Sequence, residues 1–435
     1  MPEEIAAQIR NHTHLTNIMK RFLAPAGLPL SGRQLGSMFF ALRSAGPSSA
    51  QYLQNFAGDL GVKFALGVSS ARAALYLVLR ALHWLEPERN VVAMPAYTCF
   101  SVAAAVARAG LRIYPLEMIP ASLDFDYRQM AQLPSEQLLC IISANLFGLV
   151  NDVYRMSRIA HSKGAFVVDD AAQSLGSFRD GRASGTAADV GIFSLGRGKP
   201  LPIGEGGIIV TDSPTLANAL QRETQALPSY SPARELEIFL KNVLGSVFLS
   251  PRLYSIPNSM KFLKLGVTEF NPAFSVRRMS KIAEALFLRT ARSLPDLVRS
   301  RTVTANDLLT AVRQVSRFST PTSSVSCRPG FVRFPLLAYE QAQRDQAVRD
   351  LWRAGIGATP FYPSAICDIA GIDAHMAVAD FHRPGAEEIA RRLLTLPTHS
   401  FVQSSDIQRI ASTLAQTTAK RSEFFAVRAN VRSTS

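Results

Sequence analysis

From about residue 60 to 212, short apolar or β-branched runs alternate with stretches of helical composition. ARAALYLVLRALHWL (71–85) reads as a helix, NVVAMPA (90–96) as a short strand and SVAAAVARAG (101–110) as a helix ending at Gly110. LRIYPLE (111–117) and LLCIISANL (138–146) read as strands, VYRMSRIAHSKG (153–164) as a helix ending at Gly164, and AFVVDDA (165–171) as a further strand. The near-continuous apolar character of CIIS and FVV fits strands buried on both faces. The alternation predicts a mostly parallel sheet sandwiched by helices, an α/β fold. In such open sheets ligands bind beyond the carboxyl ends of the strands, where the next helices begin. Chemistry is therefore expected directly after the strands.

Residues 225–275 break this rhythm with a stretch that is apolar and basic together, LEIFLKNVLGSVFLSPRLYSIPNSMKFLKLGVTEFNP. Beyond it, GFVRFPLL, LWRAGIGATPFYP and RRLLTLPTHSFVQSSDIQRIASTLA predict a smaller α+β domain. The expected organisation is an N-terminal arm (1–59), a large domain (60–275) carrying the insertion, and a small C-terminal domain (276–435).

The chain has 435 residues, 47% of them apolar, enough for a large core and two domains. A net charge of +14 favours an acidic partner: a phosphorylated small molecule, an anionic membrane or a nucleic acid. No helix-turn-helix, zinc or aromatic RNA-binding motif supports the last of these. Cys99, Cys140, Cys327 and Cys367 form no CxxC pair, which argues against a disulfide framework and a structural metal site and for reduced thiols in a cytoplasmic protein. The N-terminus lacks the apolar centre of a signal peptide, and no apolar run reaches the roughly 20 residues that span a bilayer. Residues 236–265 interleave Lys241, Arg252, Lys261 and Lys264 with Phe, Leu and Val. That composition suits either peripheral contact with an anionic inner membrane face or a helix packed in a core or dimer contact.

GIFSLGRGKPLPIGEGGIIVTD (191–212) places a single lysine, Lys199, in a Gly- and Pro-rich loop between two apolar runs. Desolvation there would lower its pKa and free the amine as a nucleophile, instead of leaving a solvated surface charge. A nucleophilic lysine needs a carbonyl partner, and pyridoxal phosphate is the protein-bound aldehyde that most often supplies one. That cofactor asks for a carboxylate at its ring nitrogen, donors at its phosphate and a flat neighbour for its ring. Asp170, ending the FVVDD strand, is the carboxylate candidate, with Asp169 competing and helix capping as the alternative role. Gln173 could reach the ring hydroxyl. Ser194 and the helix start at Ser69, Ser70, Ala71 and Arg72 could hold the phosphate. A serine pair before a helix is also an ordinary N-cap, but a cation in the first turn opposes the dipole and is better explained by an anion. Tyr97, Cys99 and Phe100 follow the NVVAM strand and could cover the ring, and Asn145 follows the CIIS strand.

These motifs, in order, resemble the DegT/DnrJ family of pyridoxal-phosphate aminotransferases. VVDDAAQSLGS, the Ser-x4-Lys spacing of FSLGRGK and the following GEGG carry the resemblance, over about 55–212 and more loosely over 276–420. The resemblance implies the fold type I architecture, with Asp170 rather than Asp169 at the ring nitrogen, Gln173 near the ring, Ser194 at the phosphate and Lys199 as the Schiff-base lysine. Asn145 stands where the family often has histidine, Asp152 matches a later aspartate, and Arg278 matches the arginine of an Asn-x-Arg block. The sequence departs from the pattern at Ala71-Arg72, where Gly-Thr is usual. Cys99 stands at the stacking aromatic, leaving Phe100 or Tyr97 to cover the ring. Val276 stands at the interface asparagine, for which Asn271 is a displaced substitute.

The activity that the resemblance implies is amino transfer from a donor such as glutamate to a nucleotide-linked keto sugar in polysaccharide or glycoconjugate synthesis. A homodimer is implied, with Arg278 facing the neighbour's site. Two alternatives share the scaffold: a sugar dehydratase, in whose relatives histidine commonly replaces the lysine, and a non-enzymatic regulatory or scaffolding protein.

Overall fold

The computed structural model describes residues 21–27, 30–43, 49–255, 268–315, 317–323 and 326–417. A seven-stranded sheet runs through its larger part. Its strands are β1 (Phe64–Val68), β2 (Val91–Pro95), β3 (Arg112–Leu116), β4 (Leu138–Ala144), β5 (Phe166–Asp170), β6 (Val190–Ser194) and β7 (Gly207–Thr211). Their spatial order is β1-β7-β6-β5-β4-β2-β3. The pairs from β6 to β3 are parallel, while β7 is antiparallel to both β6 and β1.

Every residue of β2, β4, β6 and β7 is buried, as expected of strands covered on both faces. The helix Ala71–Leu85 contributes Ala74, Leu75, Val78 and Leu82 to one flanking core, together with Val102 and Val106 of the Phe100–Arg108 helix. The opposite face is covered by Met156 and Ala160 of the Val153–Ser162 helix and, near β6 and β7, by Ile282 and Leu286 of the Lys281–Thr290 helix. The fold is thus an α/β sandwich of mostly parallel strands, as the alternation predicts.

A second sheet of three antiparallel strands joins Phe318–Ser319 to β8 (Phe334–Ala338) and β9 (Leu393–Leu396). The described residues before 60 pack into both parts. Phe22, Leu23 and Ala24 enter the core around β8 and β9, whereas Met38, Leu53 and Phe56 enter the core shared with β6 and β7.

Within the apolar, basic stretch the chain forms the helix Pro232–Phe248, started by Ser231, whose hydroxyl accepts the Arg234 amide. Its inner face buries Glu235, Ile238 and Asn242. Leu236, Leu240, Leu244 and Val247 form an exposed outer ridge. Lys241 pairs with Glu237 one turn earlier, at 2.5 Å, while Lys261 and Lys264 lie outside the described residues. Among the described residues no helix is long and apolar enough to cross a membrane.

Candidate active site

The strand ends open onto a cavity of about 320 Å³, lined among others by Ser70, Ala71, Arg72, Cys99, Asn145, Asp170, Gln173, Ser194, Lys199 and Tyr362. Asp169 and Asp170 are consecutive on β5, and the period of two sends their side chains to opposite faces. Asp169 is fully buried, accepting from Asn145 Nδ2 at 2.6 Å and from the Gly185 amide at 2.7 Å. Burial pushes its carboxyl up to about 6. Asp170 faces the cavity, with one oxygen accepting the Ala172 amide at 3.0 Å. Burial raises its pKa as well, opposed by that amide and by the charge of Lys199. Pleat geometry separates the two aspartates: of the pair, only Asp170 reaches the cavity wall.

Ser194 ends β6, and Lys199 follows in a turn bridged between Gly196 and Gly204. Burial lowers the Lys199 pKa, Asp170 raises it, and the guanidinium of Arg333 lowers it again. The backbone of this loop is held by Arg301, buried on the Leu294–Val312 helix, which donates to Pro200 O at 2.6 Å and to Lys199 O at 3.4 Å. The GEGG turn brings β7 against the start of the Ala71–Leu85 helix. A Cβ on Gly207 would lie 2.4 Å from the Ser70 carbonyl carbon, so only glycine permits this approach.

Ser70 is the N-cap of that helix, its hydroxyl accepting the Ala73 amide at 3.1 Å. Capping and cavity lining therefore coexist in one residue. Ser69 is turned away to pair with Arg277 through both backbone and hydroxyl. Arg72 lies on the cavity wall with its guanidinium 4.6 Å from the Phe274 ring centroid. Arg108 covers the same ring at 4.5 Å. Both cations sit beside the helix start, where an anion would be held.

Several candidates lie elsewhere than expected. Phe100 begins a helix and packs into the core, away from the cavity wall. Tyr97 is fully buried, its hydroxyl accepting the Tyr362 amide at 3.3 Å. Of the three residues considered for ring coverage, only Cys99 lines the cavity, where its sulfur accepts from Ser101 Oγ at 3.0 Å. Asn145 touches the cavity, but its amide is spent inward on Asp169, Ser184 and the Asn151 amide. Asp152 caps the Val153–Ser162 helix and pairs with Arg179 at 3.4 Å. Arg278 is exposed, outside its own chain's cavity, donating to Leu227 O and Gln225 O. Asn271 is also exposed, accepting the Ala273 amide.

The cavity's far wall comes from residues that pattern reasoning passes over. Tyr362 lies in ATPFYP, and its hydroxyl accepts from Gln173 Nε2 at 2.9 Å. Gln173 Oε1 in turn accepts the Phe147 amide, so the glutamine is oriented from both ends. An aromatic between two prolines after a helix was the available signal.

A mostly parallel sheet whose strand ends present a buried lysine, a facing carboxylate and an anion-ready helix start defines a pyridoxal-phosphate enzyme of fold type I. These groups fit the cofactor: a nucleophile, an acid for the ring nitrogen and phosphate donors share one cavity. The chain belongs to the DegT/DnrJ/EryC1/StrS aminotransferase family, whose model matches residues 40–415. It is 25% identical over 379 residues to a GDP-perosamine synthase of Caulobacter vibrioides, covering 86% of this chain and 91% of that protein. Its structure resembles the aminotransferase TlmJ from Streptoalloteichus hindustanus (TM-score 0.74, 22% identity, 92% of this chain and 99% of that one). It also resembles the E. coli GDP-4-keto-6-deoxy-D-mannose-3-dehydratase with bound hydrated pyridoxal phosphate (TM-score 0.71, 18% identity, 90% of this chain and 100% of that one). The chain is therefore an aminotransferase-family enzyme, and its cofactor is pyridoxal phosphate.

Proposed function

We propose that this enzyme transfers an amino group from an amino-acid donor such as glutamate to a nucleotide-linked keto sugar. The observation that carries the reading is the convergence of Lys199, Asp170 and Ser194 with the Ser70–Arg72 helix start on one cavity. Pyridoxal phosphate, when bound, supplies an aldehyde and an electron-withdrawing ring. Lys199 would hold the cofactor through its ε-amine and would serve as the general base and then the general acid for the proton at the donor's Cα. A depressed pKa suits it to both tasks. Asp170 holds a proton at the ring nitrogen, and Gln173, fixed between Tyr362 and Phe147, orients the ring's edge. Ser194, Ser70 and the amides of the helix start bind the phosphate, with Arg72 adding charge where the family usually has a hydroxyl. Arg278 points away from its own cavity, which supports a homodimer in which it serves the neighbour's site.

Purified protein given pyridoxal phosphate should turn yellow, and L-glutamate should bleach the colour. A panel of nucleotide-linked keto sugars should then restore it and gain the amine. A protein that neither takes up the cofactor nor reacts with glutamate sinks the proposal. Dehydration is the second reading, favoured by the likeness to a dehydratase, but a lysine at 199 can both hold the cofactor and move the donor's Cα proton, as amino transfer requires. Loss of sugar oxygen without nitrogen transfer from labelled glutamate would favour dehydration.

A further inference from the structure

Arg333 carries a charge with no carboxylate partner among the described residues. It immediately precedes β8, and burial brings its guanidinium down to about 10. No described carboxylate acts on it, and its Nη1 is buried without a hydrogen-bond partner. Arg301, the other buried guanidinium in this region, is different, because its N–H groups are spent on Lys199 O and Pro200 O. A desolvated cation left unpaired is unfavourable, and an anion arriving with matched geometry offsets that cost.

The group stands behind the cavity wall, beside Phe361 and Gly198, whose chain neighbours Tyr362 and Lys199 line it. Its guanidinium carbon lies 5.2 Å from the centroid of the Phe361 ring, and the next residue, Tyr362, is on the cavity wall. Its field reaches both Lys199 and Tyr362. A Cβ built on Gly198 would come 3.9 Å from Arg333 Nη2, and Gly198 also has φ +71°. Ala26 Cβ lies nearer still to that position, at 2.8 Å, so both Ala26 and the guanidinium pack close to the glycine that precedes Lys199.

Resting on the transaminase reading, we propose that Arg333 binds a carboxylate of the amino-acid donor. Donor and keto sugar occupy the cavity in turn, and a carboxylate is what an amino acid brings and a neutral keto sugar lacks. A planar fork of N–H donors matches that group in a bidentate pair, which lysine cannot reproduce. Arg333 is thus a specificity residue for one of the two half-reactions. A sugar bearing its own carboxylate would offer the same chemistry, and the experiment separates the two sources.

Cofactor-loaded wild type and R333Q are mixed with L-glutamate in single turnovers, and bleaching is followed against concentration. The half-saturating glutamate concentration should rise ~10- to 100-fold in R333Q, the loss expected on removing a charged hydrogen-bond partner. The limiting rate should stay within ~3-fold, because binding and not the chemical step is altered. The keto-sugar half-reaction should keep its half-saturation. In wild type, succinate, a dicarboxylate without an amine, should compete with glutamate, and this arm needs no variant to fold. Unchanged glutamate dependence in R333Q overturns the assignment, as does absence of competition by succinate. A shift confined to the keto-sugar half-reaction overturns it in favour of an acidic sugar. A wild type inert to glutamate fails the broader reading and this one together, whereas a normal wild type with an indifferent R333Q fails this one alone.

Discussion

The two walls of the cavity differ in how the chain builds them. One is made of strand ends and helix starts: Asp170 closing β5, Ser194 closing β6, and Ser70 capping a helix. The other is lined by Tyr362 and backed by Arg301, Arg333 and His399, drawn from separate elements that meet only in the folded molecule. In the proposed function the first wall holds the reacting groups, each placed by the backbone of a buried strand or helix terminus. The second holds groups that orient, brace or attract, placed by tertiary packing. On the proposed function, chemistry falls to the most locally determined positions and selectivity to the most globally determined ones.

Substitutions should separate the walls by size and kind of effect. K199A removes nucleophile and proton carrier together, so turnover should fall ~10⁴-fold or more. Mass spectrometry after borohydride reduction should find no cofactor adduct; a persisting adduct would break the assignment. D170N should cost ~10²- to 10³-fold in turnover with an unchanged denaturation midpoint. Its neighbour's D169N, which disturbs the bonds to Gly185 and Asn145, should lose about 2 kcal/mol of stability with turnover nearly intact. Equal rate losses in the two variants would contradict the facing of the strand.

On the second wall, burial holds the His399 imidazole at about 4, against an unperturbed 6.5, with Nε2 donating to Ala24 O at 2.9 Å. Its folded value lies below its unfolded one, so its contribution is complete above pH 6.5 and is lost as pH falls through about 4. The loss should be about 3 kcal/mol, read from denaturant melts across that window, and H399Q should flatten the slope. Smallest of all, Y362F deletes the acceptor for Gln173 and should lower kcat/KM by ~5-fold. A larger effect would place Tyr362 among the reacting groups.

Legibility followed the same division. The strand-helix alternation anticipates β2 to β5 because buried strands announce themselves through apolar runs. Lys199, Ser194, Gln173 and Asp170 meet at the cavity because each ends a strand or follows one within a few residues, and the pleat turns Asp169 into the core. Phe100 misleads because a side chain at the start of a helix can turn inward, and Phe100 joins the flanking core. Arg333 carries no local pattern and Tyr362 only its flanking prolines: their meaning depends on where the second sheet docks against the first, which neighbour-to-neighbour spacing does not encode.

The antiparallel seat of β7 also bears on how the molecule is made. Phe64 to Val68 pair with Thr211 to Gly207, so the sheet's outermost strand, among the earliest synthesised, finds its partner only after the lysine loop has left the ribosome. Until then β1 has no register to adopt, and closing that long span costs chain entropy that local helices do not incur. Assembly of the catalytic loop and completion of the sheet become a single late event, so a truncated or stalled chain exposes an unpaired edge and should be a target for chaperones.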